Sequence, residues 1–143
     1  MRVTRADFGY HVVLDPDDVI EECFFRFAEE EAPPSSHIVG MGSVKELKIG
    51  FYDSLTDQFV EKRLDDCLEM TSFIGNLTRQ HDIPILHAHV TAATRDFLLV
   101  GGHFISGRIN MTGEFAVFLD QAALTRALAH GRSIPFIEGL DHR

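Results

Sequence analysis

The alternation of apolar and polar positions divides the chain into an early helix and a long β-type middle. "YHVVL" (Tyr10 to Leu14) reads as a short strand. In "DPDDVIEECFFRFAEEE", Val19, Ile20, Cys23, Phe24, Phe27 and Ala28 recur at helical spacing and form one apolar face. Asp15 is placed to cap this helix, and Pro16 at the first helical position gives up no needed N–H. Asp17 and Asp18 suit the positive end of the helix dipole, and "APPSS" stops the helix.

From Ser36 to Leu119 the period is that of strands. "HIVGMGSVKELKIGFYD" carries strand residues on both sides of a predicted turn at Gly40–Gly42. "QFVEKRL" alternates. "LEMTSFIGNLT" places Leu68, Met70, Ser72 and Ile74 on one parity and Glu69, Thr71 and Phe73 on the other. "IPILHAHVTA", "FLLVGGHFISG" and "RINMTGEFAVFL" follow. Turn signals separate these runs at Asp53–Ser54, Asp65–Asp66, Gly75–Asn76, His81–Asp82, Arg95–Asp96 and Ser106–Gly107. The tail "DQAALTRALAHG" (Asp120 to Gly131) has helical composition with a glycine stop, although it is short. No repeat or linker interrupts the chain, so residues 1–143 read as one domain. One main amphipathic helix packed on antiparallel β-sheets is an α+β architecture.

Composition narrows the function. Twelve Phe and 45% hydrophobic residues in 143 supply a single core. The net charge is −9, the pI is near 5.2, and no Lys/Arg cluster stands out. An acidic chain repels phosphate backbones, which disfavours direct DNA binding. Cys23 and Cys67 are too few for a disulfide framework and read as two buried thiols in a reducing cytoplasm. No apolar stretch is long enough to span a bilayer, and the start lacks a signal-peptide pattern. The expectation is a soluble, cytoplasmic protein without membrane attachment.

Three of the eight histidines fall in "ILHAHVTAATRDFLLVGGH". His87 and His89, two apart on a strand, share a face. Folding residues 85–105 as a hairpin that turns near Asp96 makes opposed residue numbers sum to about 192, which pairs His89 with His103. A bulge at Gly101–Gly102 would change this parity. With the register kept, three neutral nitrogen donors converge as in an open, catalytic type of zinc site. A single histidine on a strand more often serves as a hydrogen-bonded or surface group, and His11, His37, His81, His130 and His142 are read so. A carboxylate close to such an ion is favoured as ligand or proton carrier, which nominates Glu114 in "TGEF" and Glu69 in "LEMTSF". Arg108 and Arg79 are the candidates for holding a substrate anion. Copies of Arg2, Arg5 or Arg126 gathered round a symmetry axis would be the route to a basic surface.

The ordered set formed by the "LDPDDVIEECFFRFAEE" helix, "GMGSV", "GFYD", "LEMTSFIGNL", "PILHAHV", "GGHF" and the Glu of "TGEF" resembles the plants and prokaryotes conserved (PPC) domain over nearly the whole chain. The resemblance implies a homotrimer of α+β subunits with a metal, often zinc, on His87, His89 and His103. It also implies a fold similar to that of acetolactate decarboxylase. In plants the domain accompanies AT-hook motifs, and prokaryotic members inherit a DNA-binding label from that context. The Arg-Gly-Arg-Pro type of hook is absent here, and the family match is loosest after Leu119. Two functions follow as expectations. One is a metal-binding homotrimer acting as an interaction or regulatory module with protein partners. The alternative is a zinc-dependent, lyase-like enzyme on a small oxygen-rich substrate, with Glu114 or Glu69 moving the proton.

Overall fold

A computed structural model describes residues 1–128 and 135–138. In chain order the elements are β1 (Arg2–Ala6), β2 (Gly9–Leu14), α1 (Ile20–Glu30), β3 (Ser35–Asp53), β4 (Gln58–Leu64), β5 (Leu68–Gln80), β6 (Ile83–Ala93), β7 (Leu99–Asp120), β8 (Thr125–Leu128) and β9 (Pro135–Glu138). This overturns the α+β expectation. Among the described residues a single nine-stranded mixed sheet carries the fold, and the one helix has 11 residues. The tail corrects the reading further, because Thr125–Leu128 is a strand paired with β9 rather than part of a helix. Residues 129–131 of that expected helix, with His130, lie outside the described residues, as does His142.

The long strands β3 and β7 are the axis of the sheet. β7 pairs with β2, β3 and β6, while β5 pairs with β3 and β6. Strands β3, β5, β6 and β7 therefore form a closed circuit of hydrogen-bonded neighbours. Such closure removes edges that would otherwise template aggregation. β8 joins β5 through one parallel pair, Arg79 with Thr125.

The helix covers the inner face of this circuit. Ile20, Cys23, Phe24, Phe27 and Ala28 are buried, as their spacing predicts. Phe24 stacks on Phe73 of β5 at 6.0 Å and meets Phe115 of β7 edge-on at 5.1 Å, and Phe73 also meets Phe104 at 5.1 Å. Burying each such ring contributes roughly 1.5–3 kcal/mol. These contacts fix which side of β5 and β7 faces inward, and so which side is left for other work.

The helix start differs from expectation. The helix begins at Ile20 after Val19, with no side-chain cap. Asp17 adopts a left-handed φ of 70°, its N–H bonds the Ile109 carbonyl, and the Ile109 N–H returns to the Asp18 carbonyl. The segment beginning at Asp15 is thus tied to β7 instead of forming a first turn.

Three predicted turns are not turns. β3 runs unbroken through Gly40–Gly42, where its register shifts by a bulge. Gly40 is needed for close approach, since a Cβ there would lie 2.1 Å from the Phe115 ring. Gly75–Asn76 lies inside β5 and Ser106–Gly107 inside β7. The single-parity reading of β5 also fails. An irregularity between Met70 and Ser72 inverts the alternation, so Met70 and Phe73 face inward while Ile74 is 59% exposed. Cys23 is buried as expected, but Cys67 is exposed, and both are free thiols. Among the described residues no helix is long and apolar enough to cross a membrane.

Candidate metal centre

The site is built by the β6–β7 hairpin. Its turn is closed by the Thr94 N–H to the Leu98 carbonyl at 2.9 Å and by the Leu98 N–H to Thr94 Oγ1 at 3.2 Å. The register then runs without a shift through Ala93 with Leu99, Thr91 with Gly101, Val90 with Gly102, and His89 with His103. The glycine pair forms no bulge. It lets β7 pass between its neighbours: a Cβ on Gly101 would meet the Val90 carbonyl oxygen at 2.5 Å, and one on Gly102 the Gly50 carbonyl oxygen at 2.7 Å.

Packing decides the direction of the imidazoles. Ala88, Val90 and Ala92 are buried in the core, so His87 and His89 point out of the opposite face. Phe104 is buried in the same core, which turns His103 to that outer face as well. The three ring centroids stand 5.5, 5.2 and 5.4 Å apart. One ligand nitrogen from each ring lies within 4.8 Å of the others. Ligands of one tetrahedral zinc are about 3.4 Å apart, so modest ring rotation closes the set on an ion.

The protonation state suits that role. His87 is pushed down to about 4, first by burial and then by Arg126, His103 and His89. His103 is also lowered, by burial first and then by His89 and Arg126. Both rings are therefore neutral near pH 7 and present lone pairs. The donor set fits a divalent ion of the zinc class, with three nitrogens on one face and room for a further ligand.

Arg126 on β8 is the site residue that the sequence reading missed. It is 6% exposed. Its Nε donates to Thr78 Oγ1 at 2.9 Å and its Nη1 to the Pro135 carbonyl at 3.1 Å. Its Nη2 lies 2.9 Å from Asn76 Oδ1 and 3.1 Å from His87 Nδ1. A signal was present: Asn76 and Thr78 put two polar groups on one face of β5, and Arg126 is the lone charge in the largely apolar run "AALTRALA". Burial lowers its pKa.

The histidines and Arg126 line a cavity of about 1020 Å³. Phe51, Phe59, Leu86, Phe136 and Ile137 form apolar walls, and Phe59 meets His103 edge-on at 5.4 Å. Tyr52 also lines it and hydrogen-bonds Asp57. Among the described residues no Asp or Glu lines the cavity.

The nominated carboxylates are elsewhere. Glu114 is exposed on β7 opposite Val13 and Met41, and Glu69 is exposed on β5 opposite Ser43 and Ala93. The structure brings neither to the histidines. Arg108 is engaged by the Asp17 carbonyl at 2.6 Å and by Glu46 at 3.7 Å, and Arg79 by the Ala28 carbonyl at 2.9 Å. His11, His37 and His81 are exposed, in keeping with a surface role.

Residues 2–120 match the family profile of the Plants and Prokaryotes Conserved domain. Among curated protein sequences none matches the chain. Solved structures share the fold along almost all of it. A candidate DNA-binding protein from Ralstonia eutropha JMP134 is 27% identical, with 97% of this chain and 96% of that chain covered at a TM-score of 0.89. A metal-containing protein from Archaeoglobus fulgidus is also 27% identical, with 97% and 100% covered at a TM-score of 0.83. A plant- and prokaryote-conserved protein from Pyrococcus horikoshii, 22% identical, shares the fold over 99% and 96% at a TM-score of 0.85.

Proposed function

Because the chain belongs to the Plants and Prokaryotes Conserved domain family, we propose that it is a homotrimeric metal-binding protein whose His87, His89 and His103 hold zinc. The observation that carries this reading is the convergence of three imidazoles on one outer face beside a cavity. The Archaeoglobus fulgidus relative, described as metal-containing, supports it. Bound zinc would act as a Lewis acid toward an oxygen ligand. The chain's own groups would orient that ligand: Arg126 and Asn76 offer hydrogen bonds, and the apolar walls offer contact to its carbon atoms.

Association is supported by the surface around the site. Val39, Ile74, His89 and His103 form one cross-strand row on the outer face. Val39 is 50% and Ile74 59% exposed, with Met41 nearby at 60%. An exposed apolar patch that runs up to a polar site marks an interaction surface. A second copy of the chain is the partner this reading assigns to it, and the interaction-module role rests on the same face.

The cavity favours the enzymatic alternative over a purely structural metal, since a structural site keeps no open position beside an apolar pocket. Direct DNA binding, the role that the Ralstonia description would suggest, finds no support in charge. Arg2 is paired with Asp15 at 2.8 Å, Arg5 lies over the Tyr10 ring at 5.7 Å, and Arg126 is buried, so none is a free surface cation. Zinc titration of the wild type and His103→Ala by calorimetry tests the assignment. One tight site per chain in the wild type, absent in the variant, is the expected result. Equal binding by both would overturn it.

A further inference from the structure

Among the described residues Arg126 is a buried cation without an anionic partner. Its partners are Thr78, Asn76, His87 and the Pro135 carbonyl, all neutral, and no ion pair engages it among the described residues. Buried charges are normally paired, and an arginine held in place by neutral acceptors is costly unless something else compensates it. The surroundings sharpen the contrast. In a chain of net charge −9, the cavity lining contains no acid, and Arg126 is its one charged side chain among the described residues.

We infer that this cavity binds a small organic carboxylate, its head group on the Arg126 guanidinium and its apolar body against Phe51, Phe59, Leu86, Phe136 and Ile137. The planar guanidinium fork matches a carboxylate in geometry as well as charge. The positions of its nitrogens decide where the head group goes. Nε, Nη1 and one Nη2 hydrogen are engaged by Thr78, the Pro135 carbonyl and Asn76, and the second Nη2 hydrogen meets His87 Nδ1, so it is the one released when His87 turns to an ion. A carboxylate on Nη2 therefore sits beside the three imidazoles, within reach of an ion held there. The apolar walls select against a bare inorganic anion, because they offer such an anion nothing to replace its hydration. A volume of about 1020 Å³ suits a small organic molecule. The inference names the ligand class of the metal site proposed above and rests on that reading for the second contact.

The test is calorimetric titration of the full chain, zinc-loaded, with 3-methylbutanoate, 3-methylbutanamide and inorganic phosphate. Zinc content is measured on the same samples. The carboxylate is expected to bind at least tenfold more tightly than both the amide and phosphate. Arg126→Gln is expected to lower carboxylate affinity at least tenfold and amide affinity by less than threefold, since the amide loses one neutral hydrogen bond and no ion pair. The acid-against-amide comparison in the wild type needs no variant, so a misfolded Arg126→Gln does not spare the idea. Equal affinity for acid and amide in protein carrying one zinc per chain overturns the carboxylate pocket alone. Phosphate binding as tightly as the carboxylate overturns the organic class. If no zinc depends on the histidines, the metal reading falls, and acid-over-amide selectivity on the metal-free chain then decides the pocket by the same tenfold criterion.

Discussion

Arg126 Nη2 stands 3.1 Å from His87 Nδ1. Arginine only donates, so Nδ1 accepts, and the proton of the neutral imidazole sits on Nε2. A neutral imidazole has one such lone pair. Metal binding at His87 must therefore move the guanidinium aside or strip the Nε2 proton, and the first is far easier. Arg126 would thus compete with an ion for His87, and its charge would also repel that ion. Arg126→Gln should accordingly bind zinc about three- to tenfold more tightly, a modest gain for removing one nearby charge in a partly solvated site. Competition with a chromophoric chelator measures this. Weaker binding in the variant would show that Arg126 holds His87 in its ligating position instead.

Burial of His87, with the charge of Arg126 second, sets an acid dependence for the metal-free protein. His87 in the folded chain is pushed down to about 4 from an ordinary 6.5. Between those values the unfolded chain takes up a proton that the folded chain refuses. The contribution is therefore fully present above about pH 6.5 and is lost as pH falls toward 4. His87 is only half buried, so the loss is about 1–2 kcal/mol after allowance for solvent. Urea unfolding at pH 7 and pH 4.5 should show this drop in the wild type and a smaller one in His87→Gln. Equal drops would assign the acid sensitivity to other groups.

Gly102→Ala should disturb the centre without touching a ligand. The new Cβ meets the Gly50 carbonyl oxygen at 2.7 Å, and Gly50 is paired with His103. Backbone cannot rotate away, so β3 and β7 must separate. A loss of about 1–3 kcal/mol in unfolding free energy is expected, together with weaker zinc binding. Unchanged stability and affinity would mean that the close approach does not position His103.

How much of this was legible in sequence depends on locality. The histidine register needed only strand parity and one turn position, both of which lie within residues 85–105, and His89 does stand opposite His103. The apolar face of α1 was equally local. Arg126 was not legible as a site residue, because its place depends on β8 reaching β5, which brings it to Thr78, 48 residues away along the chain. A composition that suits a helix hid the strand that carries it. Glu69 and Glu114 were nominated for residue type and strand context, but their distance from the cavity follows from the course of β5 and β7. The glycines misled for a related reason. Gly40, Gly42 and Gly75 permit contact between strands, which has no signature distinct from a turn until the partner is known.

The proposed trimer predicts its own disruption. Ile74→Glu places a charge in the exposed row between Val39 and His89. Light scattering at micromolar concentration should give a trimer mass for the wild type and a smaller species for the variant, since burying an unpaired carboxylate is costly. A monomeric wild type would refute the association. In the same preparations, fluorescence anisotropy with duplex DNA at about 0.15 M salt should show no submicromolar binding.

The most direct measurement is metal content per chain, by plasma mass spectrometry, for untagged protein purified without chelators. The wild type should carry close to one equivalent of zinc or a related divalent ion, and His89→Ala close to none. A folded wild type that is metal-free and takes up no histidine-dependent zinc on titration would contradict the account at its centre.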